Sequence, residues 1–524
     1  MYCVLANPGL LCKIFQVLDN CCNLNNALVC RAWSKIALDI LWRKVDDLYQ
    51  LFTLLAPLEM TGCGDYVFSR PLEYNDWLRF QRCSRRVREL SYEDAESVPT
   101  FNPSVFDDIS RSRITLSILP NLHSLRWSAA IPPCVLFMHS NVKHFTIRLP
   151  RAEPICLRPF FNDIAARMPA LTSLDIRTYM PMKSFETEAV QLLSCLPRLK
   201  MLTMPRFLFT TRIAECVSRL PEICSIDFTY YEEQGIGDPE DVADFKPQLS
   251  KGAFASLSDL SLVATYKDVE YLLAGPFYPS NLTLLYVLSP DIENPTTLQQ
   301  LIATVYESCT MLSTLTLISA PRAPDDSDPT TTDVSQRIKM EVLKPLFDCA
   351  NLTSLSILHR HPLDLRQEDL DVLASRWSFL TYLTLNNELL DLHSSDLTLE
   401  ALIPFARHCP NLIELGMFIN VSPHLIPPFS PTFNLPSFKS LQNLCMGVSI
   451  ITESVPVAMF LSQILPFGCE IDSGISDWGQ SHEIQDEVQN VFNHRSKLWN
   501  EVDKLVSFLT KARMEEWERI KATK

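Results

Sequence analysis

Few residues in this chain are spaced for covalent chemistry. His359 and His361 flank Arg360. A lone His-x-His pair lacks the further ligands of a zinc site and reads as part of a turn. The 17 cysteines are odd in number, and no two stand in a CxxC spacing, which removes the usual zinc and dithiol patterns. No GxxxxGK followed by Ser or Thr, no GxGxxG, no GxSxG and no HExxH occurs. Only 12 glycines are present, too few to favour phosphate-cradling loops. No catalytic residue, metal or cofactor is expected. What remains is the chemistry of recognition, carried by charged and aromatic side chains at recurring positions. Arg126, Arg148, Asp175, Arg177, Asp227, Tyr286, Tyr382 and Glu414 are the candidates; arginine and tyrosine are favoured at the energetic centres of protein contacts.

Those candidates fall between or beside the apolar positions of a repeated frame, apolar-x-x-apolar-x-apolar. It reads Leu122/Leu125/Trp127, Val142/Phe145/Ile147, Leu171/Leu174/Ile176, Leu199/Leu202/Met204 and Ile223/Ile226/Phe228. It continues with Leu257/Leu260/Leu262, Leu282/Leu285/Val287, Leu312/Leu315/Leu317 and Leu352/Leu355/Ile357. Leu380/Leu383/Leu385, Leu412/Leu415/Met417 and Leu441/Leu444/Met446 complete it, with Val87/Leu90/Tyr92 as a first member. The interval is about 30 residues, the range of stacked repeats. Apolar residues of a short strand point inward, and those between them line the opposite face. Helical spacing follows several frames, as in Leu298, Leu301, Ile302 and Val305. Each unit is therefore a strand, a turn and a helix. A unit this small cannot bury its own apolar face, so neighbours must stack. The fold class is α/β, an irregular leucine-rich-repeat horseshoe spanning 86–470. Cys309, Cys349 and Cys409 each precede a frame by three residues and are expected to be buried at helix ends.

Composition agrees. At 524 residues with 47% apolar and 20% charged residues, the chain is folded and longer than one compact core usually holds. A net charge of −15 disfavours an unspecific grip on nucleic acid or an anionic membrane. No stretch approaches about 20 uninterrupted apolar residues, and Met1–Leu18 lacks the pattern of a secretory signal. Two acidic insertions, Glu232–Asp241 and Asp325–Asp333, are expected to be solvated loops. Residues 46–85 are expected to be a helical linker or N-terminal cap, ending in a basic stretch of Arg79, Arg82, Arg85, Arg86 and Arg88. In 480–520, Ile484, Val491, Leu498, Leu505 and Ala512 recur every seven residues, with Arg495 as a break. This predicts a helix that covers the last repeat, with a coiled-coil seam as the other reading.

Residues 1–45 stand apart as three short helices whose apolar faces exceed what they can cover mutually. Asn7-Pro-Gly-Leu-Leu-Cys-Lys-Ile-Phe-Gln-Val-Leu-Asp19, then Asn26-Ala-Leu-Val-Cys-Arg-Ala-Trp33, then a late Trp42-Arg43 resemble an F-box. The usual Leu-Pro-x-Glu opening is Asn7-Pro8-Gly9-Leu10 here. With the repeats, the chain resembles the fungal-type F-box substrate receptors. The resemblance implies a non-catalytic subunit of a Skp–cullin–F-box ubiquitin ligase, in the cytoplasm or nucleus. Pro8, Leu10, Leu11, Ile14, Phe15, Leu18, Leu28, Val29 and Trp33 would contact the Skp adaptor, and through it a cullin. The repeat strands would present an unidentified target protein. A non-catalytic interaction scaffold with a degenerate F-box is the alternative.

Overall fold

The computed structural model describes residues 7–94, 100–150, 156–228, 234–275, 277, 279–319, 337–359, 363–387, 395–426, 435–474 and 486–523. It divides into two units, Met1–Asp241 and Val242–Lys524. Each is built on a parallel sheet.

The first unit opens with helices α1 (Pro8–Gln16), α2 (Asn20–Val29) and α3 (Arg31–Leu41). The chain then enters strand β1 (Lys44–Val45) directly. Helix α4 (Leu48–Phe52), an antiparallel hairpin of β2 (Leu58–Met60) and β3 (Tyr66–Phe68), and α5 (Tyr74–Ser84) follow. The stretch expected to be helical thus also holds a hairpin. Parallel strands β4 (Glu89–Glu93), β5 (Ser124–Ser128), β6 (His144–Arg148), β7 (Ser173–Arg177), β8 (Met201–Thr203) and β9 (Ser225–Asp227) extend the sheet from β1. Between them run α6 (Pro103–Ser112), α7 (Ile131–Cys134), α8 (Arg158–Arg167), α9 (Glu186–Ser194) and α10 (Thr211–Val217). Parallel neighbours cannot be joined by a tight turn, which is why each pair is separated by a crossover segment.

The second unit repeats the plan. Its sheet runs β10 (Asp259–Val263), β11 (Leu284–Ser289), β12 (Thr314–Ser319), β14 (Ser354–Leu358), β16 (Tyr382–Leu385), β17 (Glu414–Met417), β18 (Asn443–Cys445) and β19 (Glu470–Asp472). Two-residue strands β13 (Ile338–Lys339) and β15 (Leu363–Asp364) pair separately. The helices are α11 (Tyr266–Ala274), α12 (Pro295–Ser308), α13 (Met340–Leu343), α14 (Gln367–Arg376), α15 (Leu402–His408), α16 (Ser454–Ile464) and the long α17 (Asp486–Thr523).

Each repeat of the apolar frame marks a strand, with its middle apolar residue within the strand. The first apolar residue closes a turn onto the carbonyl three residues back, as Leu312 N–H does on Cys309 O at 3.1 Å. The next two residues then donate to one carbonyl of the preceding repeat. Ser313 and Thr314 N–H reach Thr283 O at 2.9 and 3.0 Å, and Thr353 and Ser354 N–H reach Ser313 O at 2.9 and 3.0 Å. The ladder begins at Arg43, whose carbonyl accepts from Arg88 and Glu89 N–H at 2.8 and 3.0 Å. The second and third apolar residues of the frames are buried, as Leu315 and Leu317 are, except Tyr92 of the first frame, which is half-buried. Asparagine just ahead of a frame adds a lateral bond: Asn351 Nδ2 donates to Thr310 O at 3.0 Å and Asn141 Nδ2 to Pro120 O at 3.0 Å.

Cys309, Cys349 and Cys409 sit at helix C-caps, as their spacing predicts; Cys309 and Cys409 are buried and Cys349 is half-buried. Burial pushes these thiols up to about 12, 11 and 12. They are packing residues and not nucleophiles, since only the thiolate reacts.

Helix α17 lies on α16 and β19. Its inward face is Phe492, Arg495, Trp499, Val502 and Val506, displaced from the seven-residue pattern of the sequence: Val491 is exposed, and Leu498 and Leu505 are half-buried. Arg495 is no break. It is buried and donates Nη1 to Val448 O at 2.9 Å, while Trp499 Nε1 donates to Ser449 O at 3.0 Å. Asp503 accepts from Ile471 N–H at 2.9 Å, tying the helix to the last strand.

Candidate functional site

The first candidate surface is on the N-terminal helices. Asn7 accepts from Gly9 and Leu10 N–H at 2.9 and 3.3 Å, and Pro8 occupies the first helical turn. This cap offsets the weak helix propensity of Gly9. At the far end of α1, fully buried Asn23 donates Nδ2 to Phe15 O at 2.9 Å and Leu18 O at 3.3 Å. The three helices enclose a small core of Leu11, Phe15 and Ala37, flanked by Ala27, Trp33, Ile36 and Ile40. Phe15 and Trp33 meet edge-on, with centroids 5.3 Å apart.

That core corrects part of the expected contact set. Leu11 and Phe15 are each 2% exposed and serve the module itself. Three short helices have so few apolar residues that the i, i+4 pair facing α3 must fill the interior. Trp33 is half-buried. Pro8, Leu10, Ile14, Leu18, Leu28 and Val29 are exposed, Leu28 at 86%. Two more apolar side chains, Val17 and Leu24, are exposed beside them. Leu10 and Ile14 lie one turn apart on α1, Val17 and Leu18 in the turn that follows it, and Leu24 and Leu28 one turn apart on α2. Exposed apolar residues at this density mark an interaction surface more often than bare solvent contact.

The basic stretch behind the helices is largely engaged in holding structure. Arg86 pairs with Asp39 of α3 and donates to Lys35 O at 3.2 Å. Arg70 clamps Asp76 through two bonds of 2.8 and 2.9 Å, and Arg79 pairs with the same carboxylate. The Arg70 guanidinium, aided by Glu73 N–H and Arg79, holds the Asp76 carboxyl well below the usual range despite its burial.

The second candidate surface is the outward row of the strands. In the first unit the register aligns Arg126, Thr146, Asp175, Thr203 and Asp227 in one row. Arg148 and Arg177 are neighbours in the next. In the second unit Tyr286 aligns with Thr316 and Ser356. Tyr382 and Glu414 pair with each other in a different row, so the structure does not bring Tyr286 to them. Charge in the first unit is also partly satisfied internally. Arg177 Nε donates to Asp175 at 3.1 Å, and Arg148 lies 3.8 Å from Glu93. Asp227 accepts from Phe228 N–H at 2.8 Å. Arg126 is exposed and makes no ion pair among the described residues.

The acidic insertion adds to this internal satisfaction at Asp175. Glu232 lies outside the described residues, but Gln234–Asp241 is a docked strap. Gln234, 2% exposed, donates Nε2 to Asp175 and to Ile176 O, both at 3.1 Å, and its carbonyl accepts from Thr178 N–H at 3.0 Å. Ile236 O accepts from Phe207 N–H at 3.2 Å, Asp241 from Met182 N–H at 2.5 Å, and Asp238 pairs with Lys183 at 2.8 Å. Gly235 has φ +87°, and a Cβ there would stand 1.7 Å from Thr178 O. The Gly-Ile-Gly spacing was the signal that acidity hid. The second insertion, Asp325–Asp333, lies outside the described residues, as do Arg360 and His361; His359 is buried, its N–H bonded to Asn386 Oδ1 at 2.7 Å. Among the described residues, no cluster of His, Cys, Asp and Glu is placed to hold a metal.

No family model matches the chain, and no curated protein matches it in sequence. Among solved structures, one that is similar is a crystal structure of a TLR13–ssRNA13 complex, at 13% identity and a TM-score of 0.28, covering 77% of this chain. The chain spans 57% of the length of that neighbour. A superposition that loose fixes no common arrangement, so the repeat architecture rests on the chain's own strands and their ladder. Among the described residues, no helix is long and apolar enough to cross a membrane.

Proposed function

We propose that this chain is a substrate receptor of a Skp–cullin–F-box ubiquitin ligase, a non-catalytic subunit with one recognition surface at each task. The single observation that carries the reading is the exposed apolar set on α1, the turn after it and α2, Leu10, Ile14, Val17, Leu18, Leu24 and Leu28, outside the buried core of the three helices. It supports an adaptor-docking role because burying such side chains on a partner yields about 25 cal/mol per Å² of apolar area. The F-box-like run through Trp33 and the late Trp42-Arg43 add to it, since Arg43 O starts the ladder of the repeats. The N-terminal helices thus lead directly into the first strand. A target protein would meet the outward strand rows.

Co-expression with a Skp adaptor tests this. The wild-type chain is expected to co-purify with adaptor in equal amounts. Absence of a complex at micromolar concentrations of both proteins leaves the alternative, an interaction scaffold with a degenerate F-box.

A further inference from the structure

Beyond the strand rows, the C-terminal ends of β4, β5 and β6 enclose a two-lobed cavity. Proline recurs in the segments that leave these strands, at Pro132, Pro133, Pro150 and Pro159. Proline supplies no N–H to close such a segment against its neighbour. The larger lobe, about 820 Å³, is walled by Ile131, Val135, Leu149, Pro159 and Phe160. The smaller, about 300 Å³, is walled by Tyr92, Phe101, Phe106, Trp127 and Leu136. Asp94, Ala129, Ala130 and Pro132 belong to both lobes.

The charge at the rim is specific. Arg148 is 3.8 Å from Glu93, and Asp163 accepts from Arg167 Nε at 3.1 Å. Asp94 stands on the shared wall and Asp107 beside the smaller lobe. Both are exposed, and neither makes an ion pair among the described residues. Among the described residues the rim therefore carries two carboxylates without an ion pair, on a chain whose net charge is −15.

We infer that the cavity binds an extended peptide segment of the target protein, with two large apolar side chains on one face of the strand seated in the lobes and the alternating lysine or arginine side chains, turned out of the lobes, reaching the carboxylates of the rim. This rests on the receptor reading above and names the class of target it takes. Two adjoining lobes suit alternate residues of one extended strand, whose side chains on a common face recur about every 7 Å. The carboxylates at the rim select against acidic segments, because an unpaired like charge there is repelled.

The test uses the full-length protein and a fluorescein-labelled peptide, Gly-Ser-Lys-Phe-Lys-Leu-Lys-Ser-Gly, followed by fluorescence anisotropy. Two control peptides replace Phe and Leu with Ala, or every Lys with Glu. Saturable binding of the first peptide is expected, weakened about tenfold or more in each control and in the variants Asp94→Lys and Ala130→Trp. Both variants change exposed residues, and their circular dichroism reports retained fold. No saturable binding, or binding insensitive to both variants, overturns the inference. Uptake of 1-anilinonaphthalene-8-sulfonate blocked by Ala130→Trp, with no peptide binding, also overturns it and assigns the cavity to a small apolar molecule. Adaptor capture is measured on the same samples. A chain that captures adaptor but not peptide refutes only this inference; one that binds peptide but not adaptor refutes only the ligase reading.

Discussion

Replacing Gly235 with alanine should detach the strap from the strand face. Two costs arise if the strap stays docked. The residue has φ +87°, and holding a side chain in that region costs of order 1–3 kcal/mol. Its Cβ would also stand 1.7 Å from Thr178 O and 2.4 Å from Thr178 C, a backbone clash no rotamer change relieves, worth about 1–3 kcal/mol more. Besides the exposed Lys183–Asp238 pair, which adds little, five hydrogen bonds stand against this, from Thr178, Met182 and Phe207 N–H and two from Gln234 Nε2. At about 1 kcal/mol each they total about 5 kcal/mol. Cost and restraint are similar, so the strap should open locally while the sheet stays intact, with a net loss of about 2–4 kcal/mol. Amide hydrogen exchange read by mass spectrometry should show faster exchange at Thr178, Met182 and Phe207, with β5 and β6 unchanged. Unaltered exchange at those three amides, with an unfolding midpoint shifted by less than about 0.5 kcal/mol equivalent, would refute the reasoning.

Other perturbations separate core from surface. Trp499→Ala removes a fully buried indole and its bond to Ser449 O; a loss of about 3–5 kcal/mol is expected, read by urea denaturation, with exchange rising first at β19. Leu11→Ala should cost about 2–5 kcal/mol in the N-terminal helices, whereas Leu28→Ala should change stability by less than about 0.5 kcal/mol; thermal melts of the two variants check this. The lowered pKa of Asp76 means the folded state binds fewer protons there than the unfolded chain, whose carboxyl titrates near 3.9. Its contribution is complete above about pH 5 and is lost as pH falls from there toward its own lower value. Melting temperature followed from pH 7 to pH 2 should therefore drop less steeply at the acid end in Asp76→Asn than in wild type, from a lower starting point.

The apolar frame made most of the fold legible in advance, because a strand with one buried side has a strict period of two and the turn before it has a fixed length. The strands it missed have a physical reason. In β19 the frame would read Gly468, Ile471 and Ser473; Ser473 is buried by contact with Ser496 of α17 and not by apolarity. In β1 it would read Trp42, Val45 and Asp47, and Asp47 instead caps α4. The docking of Gln234–Asp241 was hidden because charge suggests solvent, while two positive-φ glycines suggest close approach, and here geometry wins. The face of α17 was misjudged because a buried arginine satisfied by a carbonyl breaks no pattern in three dimensions. At the N-terminus, which helix side faces inward depends on how α1 meets α3, information that spacing within α1 alone does not hold.

The most direct measurement is calorimetric titration of a purified Skp adaptor into the folded chain, comparing wild type with the double variant Ile14→Asp, Leu28→Asp. Both residues are exposed, so the variant should keep the wild-type melting temperature within about 2 °C. Submicromolar binding by wild type and a loss of at least about 100-fold in the variant, near 2.7 kcal/mol, is the expected result. Equal heats for the two proteins, or none for either, would contradict it.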